Sequence, residues 1–380
     1  MAGLKLLLPG GAVVLLVTAA VAFLMQMLAL PTPTGTYSVG TVTGRLPPPA
    51  SQERRTAFTA QFWYPSNADA TGTTLIEGAQ VTWHGIRFDR RFRTAAISGA
   101  SAAEHSGGFP LLIYVPEWGG ARTSNIALAQ DLASHGFVVV SMDLASGPAA
   151  GEKLDFSSAE ANAATLRLGD HLVRAQAHDA VELLDRLRAA LGRDSALAPI
   201  SNSVDFGRVG IFGFSFGGAV AVQACWTDHR FKAAMNMDGW MFGDAAEAGI
   251  DQPLMAMSDD TPLPGAAELR SNQAETRYTA ELNLADDRRT VRILAQHGGE
   301  CVTIRGTRHA NFSDLPLIWP VRRMVGAGPV SPTKAHGLIS AYAVAFFQKH
   351  LRGEDPPPLR PGAAPLDGVR LEQWPVPASP

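Results

Sequence analysis

Short apolar runs punctuate the chain, separated by longer stretches that carry a single apolar face. Residues 111–115 read Leu-Leu-Ile-Tyr-Val and residues 137–142 read Phe-Val-Val-Val-Ser-Met. Further runs lie at 209–212, 232–237, 253–257 and 302–305. Such runs have strand length, and their lack of polar alternation marks strands buried on both faces. Residues 124–134 have helical spacing, with Gly136 placed as the stop. Residues 170–191 predict a long amphipathic helix, 216–226 a shorter one and 333–351 a closing one. Buried strands alternating with helices predict an α/β domain: a mostly parallel central sheet with helices on both faces.

The flanks are less regular. Residues 56–64 alternate before turning at Pro65, which predicts another strand. Residues 31–49 are rich in Pro, Thr and Gly and read as a linker or a first edge strand. Residues 66–108 lack periodicity and carry Arg87, Arg90, Arg91 and Arg93. They read as a solvated loop or as an insertion at the mouth of a site, with a lid as one form of it. From Gly353 the chain is Pro-rich and is expected to lie on the surface without regular structure.

The N-terminus differs in kind. No charged residue occurs between Lys5 and Arg45, and residues 6–30 are almost entirely apolar. About 20 such residues span a bilayer as a helix. Ala-Leu-Pro near Ala29 makes a poor cleavage site, which favours an uncleaved signal anchor with Lys5 on the cytoplasmic side; a cleaved signal peptide is the alternative. Either way the rest of the chain is expected outside the cytoplasm, tethered to a membrane or secreted. The expected organisation is therefore 1–30 as anchor or signal, 31–55 as linker or edge segment, 56–352 as the catalytic domain and 353–380 as the tail.

Composition narrows the function. The 380 residues are 46% hydrophobic and 18% charged, enough for one large core. A net charge of −3 gives no reason to expect a nucleic-acid partner. Cys225 and Cys301 have no metal-type spacing; they form one bridge or stay free. Nothing in the sequence sets the oligomeric state.

The chemistry centres on Gly213-Phe214-Ser215-Phe216-Gly217, placed between a predicted strand and a predicted helix. Gly-x-Ser-x-Gly at such a turn is the nucleophile elbow of α/β-hydrolases, and it predicts that fold. Residues two before and two after the serine are crowded, so glycine suits both. A serine hydroxyl needs a base, and the base needs an orienting acid; in this fold they follow in the order Ser, acid, His. Among the histidines after Ser215, His309 follows the last predicted strand, where the base belongs. His229, His297, His336 and His350 read better as surface or structural residues. For the acid, Asp238, Asp259 and Asp260 all stand at strand ends, and position does not choose between them. The oxyanion donors are expected to be the backbone N–H groups of Phe216 and of Trp118, the latter in Pro116-Glu117-Trp118-Gly119-Gly120 after the 111–115 strand. This chemistry needs no metal or organic cofactor.

Several blocks together resemble the plasma-type platelet-activating-factor acetylhydrolases (lipoprotein-associated phospholipase A2) and their bacterial relatives. These are Gln61-Phe62-Trp63-Tyr64-Pro65, Asp131 through Val139, the elbow with Gly218-Ala219, the block ending Met237-Asp238-Gly239-Trp240-Met241, and Thr303 through Asp314. The resemblance spans roughly residues 56–350. It implies Asp238 as the acid beside Ser215 and His309. It also implies a serine ester hydrolase for short or oxidised sn-2 acyl chains of phospholipids. A broader esterase, lipase or polyester hydrolase is the alternative, and a silent membrane-tethered binding protein a more distant one. Two departures stand out: Phe214 where the family commonly has His, and Pro116-Glu117-Trp118 where it usually has His-Gly and an apolar residue.

Overall fold

A computed structural model describes residues 30–48, 57–67, 74–77, 81–83, 86–88, 91–149, 151–318 and 325–375. The N-terminal apolar helix expected over the first thirty residues lies outside these, apart from Leu30. Among the described residues no helix is long and apolar enough to cross a membrane.

Ten strands form the main sheet. They are β1 (Ser38–Leu46), β2 (Phe58–Ser66), β3 (Ile97–Ser98), β4 (Phe109–Val115), β5 (Val138–Met142), β6 (Val204–Phe214), β7 (Phe231–Met237), β8 (Leu254–Ser258), β9 (Gly299–Ile304) and β10 (Val369–Trp374). Their order across the sheet is β10-β9-β8-β7-β6-β4-β5-β2-β1-β3. From β9 to β5 every neighbouring pair is parallel. β1, β2 and β10 join antiparallel at the flanks.

Five helices cover the sheet: α1 (Ile126–Ser134), α2 (Ala159–Ala190), α3 (Phe216–Thr227), α4 (Ala274–His297) and α5 (Pro332–Arg352). The period-2 geometry of a strand splits each apolar run between two cores. Leu111, Ile113 and Val115 of β4 join the cluster of α2 and α3. Leu112 and Tyr114 join the cluster of α1 and α5. The runs therefore lack alternation because both faces are covered.

Three elements differ from expectation. α2 begins at Ala159 rather than at residue 170. Its first turns are Ala-rich and carry no apolar stripe; they are started by Ser158, whose side chain accepts from the Ala161 N–H. α4 was not anticipated, because few of its residues are buried (Ala280, Leu282, Ile293, Leu294) and most of the others are polar or charged. The tail is corrected too: residues 369–374 pair with β9 over its full length. Val369 is buried against the core and Leu371 packs on it, an alternation hidden behind the prolines. Segment 31–49 contains a true strand, second from the sheet edge. Within 66–108 the described parts form two antiparallel ribbons, Thr74–Glu77 with Arg91–Thr94 and Val81–Trp83 with Ile86–Phe88, followed by β3. Part of the segment for which a lid is one reading, residues 68–73, 78–80, 84–85 and 89–90, lies outside the described residues. Cys225 and Cys301 are free thiols.

Candidate active site

Every residue singled out for chemistry lies just beyond the C-terminal end of a parallel strand, where open α/β sheets hold their sites. Ser215 follows β6 directly and precedes α3. Its backbone is strained, with φ 55° and ψ −127°, a conformation that costs on the order of 1–3 kcal/mol for a residue with a Cβ. Two hydrogen bonds hold it: Ser215 N–H to the Met237 carbonyl (2.8 Å), and Gly218 N–H to the Ser215 carbonyl (2.9 Å). The flanking glycines are required. A Cβ on Gly213 would lie 2.1 Å from the Gly217 carbonyl oxygen, and one on Gly217 would lie 2.2 Å from that of Val115.

Asp238 follows β7 and also has positive φ, 56°. Its N–H donates to the Met257 carbonyl at 2.8 Å, which ties it to the end of β8. Its Oδ1 accepts from the Asp259 N–H at 2.8 Å. Its Oδ2 lies 2.6 Å from Nδ1 of His309. The other two carboxylates are engaged elsewhere. Asp259 accepts from the N–H and hydroxyl of Thr261 (2.7 Å each), and Asp260 from the Gly306 N–H (2.9 Å).

His309 opens the 3₁₀ turn His309–Phe312 after β9. Its Nε2 lies 3.0 Å from the Ser215 Oγ. With Nδ1 donating to Asp238, Nε2 is left as the acceptor for the serine proton; this tautomer is assigned from the network. His297 instead faces Asp251 at 3.6 Å, and His350 faces Glu300 at 3.6 Å.

Residues 116–120 form a tight turn after β4, closed by the Gly120 N–H donating to the Glu117 carbonyl (2.7 Å) with Gly119 at φ 66°. The Trp118 ring stands edge-to-face on the Phe216 ring, 5.0 Å between centroids. The indole N–H donates to the Glu152 carbonyl at 3.1 Å. Phe216 is the first residue of α3, so its N–H has no intrahelical acceptor. The turn and the helix start thus lie side by side next to Ser215.

Comparison with known proteins fits this geometry. The profile of the family described as "Platelet-activating factor acetylhydrolase, isoform II" matches residues 34–160 and 176–355. The chain belongs to this family. A "Platelet-activating factor acetylhydrolase" of Bos taurus is 26% identical over 274 residues, covering 64% of this chain and 57% of that protein. A "Probable 1-alkyl-2-acetylglycerophosphocholine esterase" of Arthroderma benhamiae is 25% identical over 268 residues, covering 65% and 62%. The chain thus spans less than two thirds of the length of these relatives. A solved ferulic acid esterase of Streptomyces cinnamoneus superposes with TM-score 0.62 at 24% identity, covering 90% of this chain and 98% of that one. That likeness shows the fold, an α/β-hydrolase.

Phe214, which departs from the acetylhydrolase family pattern, packs its ring against the His309 imidazole, tilted by 35° with 4.8 Å between centroids. Packing around the ring would by itself lower the His309 pKa, although the side chain is 54% exposed. The hydrogen bond and charge of Asp238 outweigh it, and Asp259 and Glu117 add to them, so the pKa stands above the ordinary value.

Two supporting residues escaped the sequence reading. Asn283 accepts from the Trp240 indole N–H (2.7 Å), and Asp286 accepts from the Met241 N–H (2.6 Å). They stand three apart on α4 and hold the segment that follows Asp238. Burial pushes the Asp286 carboxyl up to about 6, with Asp238 and Asp287 adding to the shift. The only trace in the sequence is the i, i+3 spacing of two polar residues, common on any charged helix.

Proposed function

We propose that the protein is a serine carboxylic-ester hydrolase that works through an acyl-enzyme. One observation carries the reading: the continuous chain from Ser215 Oγ to His309 Nε2 (3.0 Å) and from His309 Nδ1 to Asp238 Oδ2 (2.6 Å). Ser215 Oγ attacks the ester carbonyl carbon while His309 Nε2 takes its proton. The carbonyl oxygen becomes an oxyanion, held by the N–H groups of Phe216 and Trp118. Collapse breaks the bond to the alcohol, which leaves with the proton from His309. Water then attacks the acyl group, again giving its proton to His309, and the acid departs as Ser215 regains its hydrogen. Asp238 orients the imidazole and stabilises the imidazolium throughout.

The substrate class we propose is a phospholipid with a short or oxidised sn-2 acyl chain. The names of the relatives support it. We also propose that the domain works outside the cytoplasm, tethered by the apolar segment before residue 31 or released from it; membrane fractionation of the full chain tests this.

The functional test is labelling by a fluorophosphonate, run on wild type, Ser215→Ala and His309→Ala. Labelling of wild type alone is the expected outcome, with hydrolysis lower in both variants by on the order of 10⁴-fold. Esterase activity undiminished in Ser215→Ala would end the proposal. Rates on a short sn-2 phospholipid beside a short p-nitrophenyl ester separate the phospholipid reading from a general esterase.

A further inference from the structure

Glu117 sits in the turn that departs from the family pattern, and its carboxyl does not face solvent. It folds beneath its own turn, where Oε1 accepts from the Ser124 hydroxyl at 3.2 Å. Oε2 is buried with no hydrogen-bond partner among the described residues. It lies over Gly120, whose added Cβ would meet it at 2.8 Å. The Tyr114 hydroxyl acts on the same carboxyl and accepts from Asn125 Nδ2 at 2.9 Å. Asn125 begins α1, and the first N–H groups of α1 go to another buried carboxyl. Asp314, in the segment that starts at His309, accepts from Ile126 (2.6 Å) and Ala127 (3.3 Å). One buried polar cluster thus joins the oxyanion turn, the end of β4, the start of α1 and the segment bearing the base.

We propose that Glu117 is a positioning residue: anchored from beneath the turn, it sets the direction of the Trp118 N–H and locks it in register with His309. The groups facing it are Tyr114 on β4, Ser124 before α1, Asp314 after the 3₁₀ turn, and His309 itself. Burial raises the pKa of the Glu117 carboxyl, against the pull of the Ser124 hydroxyl and of His309.

The proposal rests on the ester-hydrolase reading, and the test separates the two. Wild type, Glu117→Gln and Glu117→Ala are compared for fluorophosphonate labelling and for kcat and KM on a short ester. Glutamine keeps an oxygen for the Ser124 hydroxyl. Glu117→Gln is expected to keep kcat within about threefold of wild type. Glu117→Ala is expected to lower kcat on the order of 10- to 100-fold with KM little changed, since a misplaced donor is felt in the transition state. A Glu117→Ala variant with wild-type kcat overturns the proposal. So does a Glu117→Gln variant that loses activity as Glu117→Ala is expected to. If Glu117→Ala fails to fold, Ser124→Ala, which removes the hydroxyl anchoring the carboxyl, takes its place: lowered kcat with KM little changed supports the proposal, and wild-type kcat overturns it. Wild type that neither labels nor hydrolyses an ester would end the underlying reading instead.

Discussion

His309 has to be neutral to take the serine proton, yet its surroundings favour the imidazolium. Partial desolvation of the half-exposed ring opposes the charge, but Asp238, Asp259 and Glu117 outweigh it. Activity is therefore expected to be low in acid and to rise as pH passes a His309 pKa lying above the usual 6.5. The stability of the His309–Asp238 pair has the opposite sign. It is fully present below the unfolded histidine pKa and is lost as pH rises through the folded one. Asp238→Asn removes the charge and the correct tautomer. It is expected to lower kcat on the order of 10⁴-fold and to move the acid limb of the residual activity downward. A pH–rate profile of both forms checks this, and an unmoved limb would assign it to another group. At this scale Ser215 and His309 were legible because the reaction order restricts where each can stand. Asp238 was not separable from Asp259 and Asp260 by position. The choice lies in side-chain direction, which the Met257 carbonyl and the positive φ set through space.

At the scale of elements, α4 braces the acid. Asp286 is the acceptor for the Met241 N–H and Asn283 for the Trp240 indole, so one helix face controls the chain leaving Asp238. Asp286→Ala leaves a backbone donor without its partner, at a cost of roughly 1–3 kcal/mol in stability, and loosens the acid segment, lowering kcat more than it changes KM. Asp286→Asn keeps the acceptor oxygen and is expected to stay near wild type. Thermal unfolding and steady-state kinetics of the two variants check this; equal losses in both would mean that the charge, not the acceptor, matters. The same helix shows why element-level reading was partial. Strands buried on both faces announce themselves as apolar runs, whereas α4 buries few residues and shows almost no stripe. Strand β10 was hidden for another reason. It needs only an edge to pair with, and the β9 edge is a property of the assembled sheet rather than of residues 369–374.

For the whole molecule, the buried carboxyls set how stability varies with pH. Asp314 ties the start of α1 to the segment bearing His309, and burial pushes its carboxyl up to about 7, with Glu117 adding to the shift against the pull of the Ile126 and Ala127 N–H groups. A carboxyl raised in the fold acts opposite to the usual paired aspartate. Below about pH 4 it is protonated in both folded and unfolded chains and makes no difference. As pH climbs the unfolded chain ionises first, so stability falls, and the loss is complete above the folded value. A shift from 3.8 to about 7 corresponds to on the order of 4 kcal/mol. Asp314→Asn removes the titration while keeping an oxygen for the α1 N–H groups. Urea unfolding at a series of pH values is expected to show wild-type stability declining relative to Asp314→Asn between about pH 4 and 7, the two curves running parallel above that. The variant should still decline somewhat, because the Glu117 pKa is raised as well. Curves parallel throughout would mean that Asp314 is ionised in the fold and held by the helix start. The domain is thus expected to trade stability for activity over one pH range: the rise that frees His309 as a base is the rise that charges the carboxyl fastening its segment to α1.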